Sequence, residues 1–163
     1  MNPKNRTATL YTDAGPFNSI TLPQAGLGIA RLLSLPVTDS SNPRASLQHY
    51  ANNFVYLSSF LVTQQQIFES LQAATGVKEA DWKVEKASIA EKDAALREQF
   101  KQGNFMAGAG LTFLWYMGEG RGGNYEEKAR QDREVLGLKE EDLDDVVKNA
   151  VAGGPKADVF GRQ

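Results

Sequence analysis

Few residues in this chain could do chemistry, and each has a plainer alternative role. Gly118-Glu119-Gly120-Arg121-Gly122-Gly123 matches G-x-G-x-x-G letter for letter. In a β–α turn that spacing lets the backbone approach a pyrophosphate at a helix N-terminus. The surroundings do not suit that use. The motif follows an apolar, helix-length stretch instead of a buried strand, and it opens onto Asn124 and Tyr125. No acidic residue ends a second strand about twenty residues on, where the pattern is itself helical. The expectation is a glycine turn bordering a pocket, with no residue assigned to cofactor binding.

His49 is the only histidine. No Ser or Cys nucleophile is marked out beside it and no second imidazole exists to share a metal, so a solvated loop histidine is expected rather than a general base. Glu140-Glu141-Asp142 with Asp144-Asp145 falls where a helix should start, and the helix dipole favours negative charge there. The cluster lacks EF-hand spacing, so no metal ligand is assigned. The chain has no cysteine, which excludes disulfides, thiolate nucleophiles and Cys-ligated zinc. No catalytic residue emerges. What remains is an aromatic group beside the glycine loop: Phe105, Met106, Phe113, Trp115, Tyr116 and Met117, with Tyr125 just beyond it. Core is their plainer role. The functional one is a pocket for a small apolar or aromatic substrate, and these seven are its candidate residues.

The element that must position them is Asn53–Gly76. Phe54, Val55, Tyr56 and Leu57 form a continuous apolar run, which predicts a strand over Phe54–Ser58 buried on both faces of a parallel sheet. Thr63 with Gln66 is a capping box, Val62 and Ile67 stand at the hydrophobic-staple positions, and Gly76 can end the helix. Upstream, Thr7–Tyr11 is β-prone, Asp13-Ala14-Gly15-Pro16 is turn chemistry, and Phe17–Ile20 reads as a second strand or an extended arm. Thr21 with Gln24 repeats the capping spacing, opening a helix that turns Leu22, Ala25, Ile29, Leu32 and Leu33 inward and ends near Ser34. Ser34–Ser46 has no period and predicts an exposed loop.

Downstream, Trp82-Lys83-Val84-Glu85 alternates as a half-exposed strand does. Ser88 with Glu91 makes a third capping box, for a helix placing Ile89, Leu96 and Phe100 on one face and ending at Gly103. Phe105–Met117 carries no charge, so as a helix it should be buried or line a cavity. Two charged helices follow, broken at Gly137, the second turning Leu143, Val146, Val147 and Ala150 inward.

At 163 residues the chain fits one domain. Charged residues make up 23% and the net charge is −2, which gives no electrostatic case for nucleic acid or an acidic membrane. The polar start, Met1-Asn-Pro-Lys-Asn-Arg6, lacks the apolar core of a signal peptide, and no apolar run is long enough to span a bilayer. A cytoplasmic protein is the resulting expectation.

Three phrases together carry a resemblance. Lys4-Asn-Arg-Thr-Ala-Thr-Leu-Tyr11 with Phe17–Gly28, then Asn53–Gly76, then Gly122-Gly-Asn-Tyr125 with Glu134-Val-Leu-Gly-Leu138 resemble the C-terminal half of fungal NmrA-like, isoflavone-reductase-like proteins. These are atypical short-chain dehydrogenases, and the similarity covers Asn5 to Val151. In that family a Rossmann half binds NADP(H) and a smaller C-terminal half covers the substrate. The resemblance implies an α/β fold, an incomplete Rossmann-type portion whose few strands are packed by roughly five or six helices. It further implies a substrate-side domain over residues 1–152 with a flexible tail over residues 153–163.

The family's phosphate fingerprint, cofactor-selecting basic residue and catalytic lysine lie upstream of the first residue here, so none carries over. The implied chain is short of its cofactor half, binds no cofactor alone, and needs a Rossmann half or self-association to cover its open sheet. A non-catalytic regulatory protein of the NmrA kind, and a cofactor-free isomerase or cyclase, are the alternatives.

Overall fold

The computed structural model describes residues 1–153. In chain order the elements are β1 (Thr7–Tyr11), β2 (Phe17–Ser19), α1 (Leu22–Leu33), α2 (Leu47–Tyr50), β3 (Phe60–Val62), α3 (Gln64–Thr75), β4 (Lys83–Ala87), α4 (Ile89–Lys101), α5 (Met106–Met117), α6 (Glu126–Val135) and α7 (Leu143–Val151). The chain is therefore mixed α/β, with seven helices and four short strands among the described residues. One helix more than expected is present, and α2 is a single turn in the polar stretch before Asn53. The predicted tail lies, apart from Gly153, outside the described residues.

The strands form two separate pairs. β1 and β4 run parallel from Thr7 opposite Lys83 to Tyr11 opposite Ala87. β2 and β3 run antiparallel, Phe17 opposite Val62 and Ser19 opposite Phe60. Helix α3 packs on the parallel pair, where Phe68, Ala8 and Trp82 make the apolar core with Leu10, Val77 and Val84 around them. The Phe68 and Trp82 rings meet edge to face at 5.2 Å, a favoured aromatic geometry. The α3 cap forms as its letters predict. The Thr63 hydroxyl accepts from the Gln66 N–H, the Gln66 side chain accepts from the Thr63 N–H, and Gly76 takes a left-handed φ of 66°.

Three expectations are corrected. Phe54–Leu57 is irregular and joins no ladder, and the strand starts later, at Phe60. Side chains take the place of a neighbouring strand. The Tyr56 N–H donates to Asp132 at 2.7 Å, and the Leu57 carbonyl accepts from the Tyr125 hydroxyl at 3.2 Å. Those bonds satisfy backbone groups that a sheet would otherwise pair; Phe54 itself is 76% exposed.

Helix α1 is capped and terminated where expected, but it is rotated. Leu22, Ile29 and Leu33 point outward, while Gln24 and Gly28 are buried. Gln24 donates to the Lys139 carbonyl at 2.6 Å, and a Cβ on Gly28 would stand 2.8 Å from Leu57 Cδ1. Thus a polar anchor and a close approach, neither visible to hydrophobic periodicity, choose which side faces the molecule.

Helix α5 is the third case. It is buried only at Ala107 and Leu114, and none of its residues lines the cavity beside the glycine loop. It packs on α4 through its small residues, a Cβ on Gly110 falling 2.9 Å from Leu96 Cδ1. That leaves Met106, Phe113 and Trp115 outside, while Leu114 is buried and Tyr116 and Met117 are half-buried. Two smaller corrections follow: Phe100 of α4 and Ala150 of α7 are exposed instead of inward.

The start of α4 also differs from its reading. Ser88 accepts from the Ala90 N–H, but the carboxylate that takes a first-turn donor belongs to Asp13, not Glu91. Ile89 N–H donates to Asp13 at 2.8 Å and the Ser88 hydroxyl donates to it at 3.3 Å. Chiefly through the Ile89 N–H, these bonds hold the Asp13 carboxyl below the ordinary carboxylate range. A lowered folded pKa contributes stability above the unfolded value, and this is lost as pH falls through the folded value. Asp13→Asn should therefore lower the urea midpoint near neutral pH, with the gap to wild type closing below about pH 4. An equal gap in acid and at neutrality would remove the charge from this account.

No helix among the described residues is long and apolar enough to cross a membrane.

Candidate functional site

The site is built around Asn18, which stands on β2 and is 1% exposed. Its amide nitrogen donates to Ser58 Oγ at 2.9 Å and to Glu126 Oε2 at 2.7 Å, and its amide oxygen accepts from the Tyr125 N–H at 2.7 Å. Its own N–H donates to the Gly123 carbonyl at 2.8 Å, and its carbonyl accepts from the Tyr116 hydroxyl at 2.6 Å. One residue, through its side chain and backbone together, thus ties β2, the Phe54–Ser59 segment, the end of α5, the glycine loop and the start of α6.

A charged pair stands behind this hub. Arg133, itself buried, donates to Glu126 at 2.6 Å and to the Ser58 carbonyl at 3.5 Å. Asp132 beside it accepts from the Tyr50 hydroxyl at 3.0 Å. Burial first, then Asp132, pushes the Tyr50 phenol well above its ordinary range. Tyr116 is raised likewise, by burial first and then by the neighbouring Tyr125. Neither phenol is therefore suited to ionise near neutrality.

The glycine loop is explained without a nucleotide. Gly120 and Gly122 adopt φ of 69° and 93°, backbone that side chains rarely tolerate. A Cβ on Gly123 would stand 1.9 Å from the Tyr116 carbonyl oxygen, so only glycine fits there. The loop, with Tyr56, Tyr125 and Lys128, borders an open cavity of about 750 Å³. The Tyr56 and Tyr125 rings are 5.5 Å apart. The Lys128 ammonium donates to the Tyr56 hydroxyl at 3.3 Å and sits 4.8 Å from its ring centre. Glu119 and Glu127 complete the rim.

The seven pocket candidates divide unevenly. Tyr125 lines the cavity. Tyr116 is half-buried and two hydrogen bonds from it, through Asn18 to Tyr125. Met117 is half-buried with its sulfur against Gln64 Nε2 at 3.4 Å. Phe105, Met106, Phe113 and Trp115 face outward and line none of it. Sequence reading missed Asn18, Tyr56, Lys128 and the Glu126–Arg133 pair. The pair alone left a signal, since residues seven apart lie on one face of a helix two turns long.

His49 is exposed on α2, edge to face with Tyr50 at 5.0 Å. The acidic cluster has structural work. Glu141 accepts from the Thr21 hydroxyl at 2.8 Å and from the Ser59 hydroxyl, and Asp142 caps α7 by accepting from the Asp145 N–H at 2.9 Å. No group of three or more metal-ligating side chains occurs among the described residues.

Comparison of the chain with protein-family models, with curated proteins and with solved structures finds no match.

Proposed function

We propose that the chain is the substrate-side part of an NmrA-like, isoflavone-reductase-like NAD(P)-dependent oxidoreductase. In this reading it holds a small aromatic ligand in the cavity beside Tyr56 and Tyr125, and a Rossmann-type partner brings NADP(H). Redox activity, in this reading, comes with the partner's cofactor.

The observation that supports the reading most is the unfinished look of the α/β architecture. Parallel strands ordinarily sit inside larger sheets covered on both faces, yet among the described residues β1 and β4 pair with no other strand, a single bridge from Asn2 to Thr7 aside. Two helices also present large apolar side chains to solvent: Leu22, Ile29 and Leu33 on α1, and Met106, Phe113 and Trp115 on α5. A neighbouring α/β half would cover such surface and extend such a sheet.

Two measurements test this. Light scattering over a dilution series should show association that grows with concentration and is replaced by a one-to-one complex when the Rossmann half of an isoflavone reductase is added. Calorimetry should show no micromolar NADPH binding by the chain alone. Micromolar binding by the isolated chain, or a monomer at high concentration that ignores the added half, would overturn the proposal.

A further inference from the structure

The cavity beside the glycine loop has a charge preference of its own. Two phenol rings, Tyr56 and Tyr125, wall it, and aromatic faces carry negative potential that attracts cations. Glu119 and Glu127 stand on its rim, and neither makes an ion pair among the described residues. Glu126 is committed elsewhere, to Arg133 and Asn18. Against these stands one ammonium, Lys128, which already rests on the Tyr56 ring at 4.8 Å from its centre. The wall therefore holds an ammonium drawn from its own chain.

The positive end of α6 does not reverse this balance, because its first turn carries Glu126 and Glu127, and first-turn carboxylates already answer the dipole. An entering carboxylate or phosphate would meet two unpaired glutamates. A neutral aromatic ring would gain stacking alone. A cationic aromatic would gain stacking and the field of both carboxylates.

We infer that the ligand this cavity takes is a small aromatic amine, cationic at neutral pH, seated against Tyr56 and Tyr125 with its nitrogen toward Glu119 and Glu127. The inference rests on the cavity's being the ligand site of the proposed function, and it narrows that site from aromatic compounds in general to amines. Lys128 is then a competitor for the ring face, displaced when the ligand enters.

The test is an amide-shift titration of the whole chain with benzylamine, benzyl alcohol and benzoate at low salt. Benzylamine should bind about three- to fivefold more tightly than benzyl alcohol, the range a solvent-accessible cation–π contact supports, and benzoate should bind weakest. Shifts should centre on Gly120, Gly122 and Tyr125. Lys128→Met removes an exposed side chain and should tighten benzylamine further. The double change Glu119→Gln with Glu127→Gln should narrow the advantage of benzylamine over benzyl alcohol, leaving what the rings supply.

Equal binding of the amine and the alcohol would overturn the inference while keeping the cavity as a ligand site. So would tightest binding of benzoate that is lost with Lys128→Met. No shift at these residues with any of the three probes would overturn both the inference and the site.

Discussion

Replacing Asn18 with leucine is expected to destabilise the chain by about 3–5 kcal/mol, since each buried polar group left without its partner costs about 1–3 kcal/mol. Leucine keeps the branched shape, with somewhat bulkier methyl groups, but removes both functions of the amide. The Tyr125 N–H loses its acceptor, and Ser58 and Glu126 lose their donor. Glu126 would then rely on Arg133 alone, in a half-buried place. The change should also loosen the cavity wall, because Tyr125 is positioned through its own N–H. Urea denaturation of the variant gives the number. A loss below about 1 kcal/mol, the scale of an ordinary single hydrogen bond, would mean that the network is decoration and that the strands and helices hold the site without it.

The other large effect belongs to the apolar core. Phe68 is 0% exposed, and Phe68→Ala should cost about 3–5 kcal/mol through lost transfer energy and the void left between β1, α3 and Trp82. Phe105→Ala is the control. It removes the same ring from a position that is 78% exposed, and surface changes of this kind stay within about 0.5 kcal/mol. Similar losses at both positions would mean that the outer face of α5 is buried in solution, and the assembly would then be the unit that unfolds.

What could be read in the letters was local. β1 lies where its β-prone residues stand, Thr63 and Gln66 form their box, Thr21 accepts from the Gln24 N–H, and α1 stops at Ser34. Each depends on residues within about one helical turn, so neighbouring letters suffice. The sides that helices present were less legible. Periodicity assigns an apolar face to the interior, but in α1 the interior is claimed by Gln24 reaching Lys139 and by Gly28 meeting Leu57. In α5 the smallest residues make the contact, as Gly110 does with Leu96. Phe54–Leu57 failed for a related reason. Its composition suits a strand, yet Asp132 and Tyr125, each more than sixty residues away, take its backbone bonds first. The hub itself rests on one asparagine in a three-residue strand, and nothing in its neighbours marks it out.

The hub also sets a clock for the newborn chain. Asn18 and Tyr125 are 107 residues apart, and ribosomes add about 5–20 residues each second. The asparagine therefore emerges about 5–20 s before the backbone group its amide oxygen must hold. For most of that interval β2 has only β3 and Ser58 to hold it, and Leu22, Ile29 and Leu33 of α1, outward-facing even in the finished fold, are presented beside an unfinished interior. Arrested nascent chains offer the check. Those stopped before Tyr125 should be cut readily by protease around residues 17–28, and those released past Arg133 should resist. Equal resistance in both would show that α1 and β2 settle without the hub.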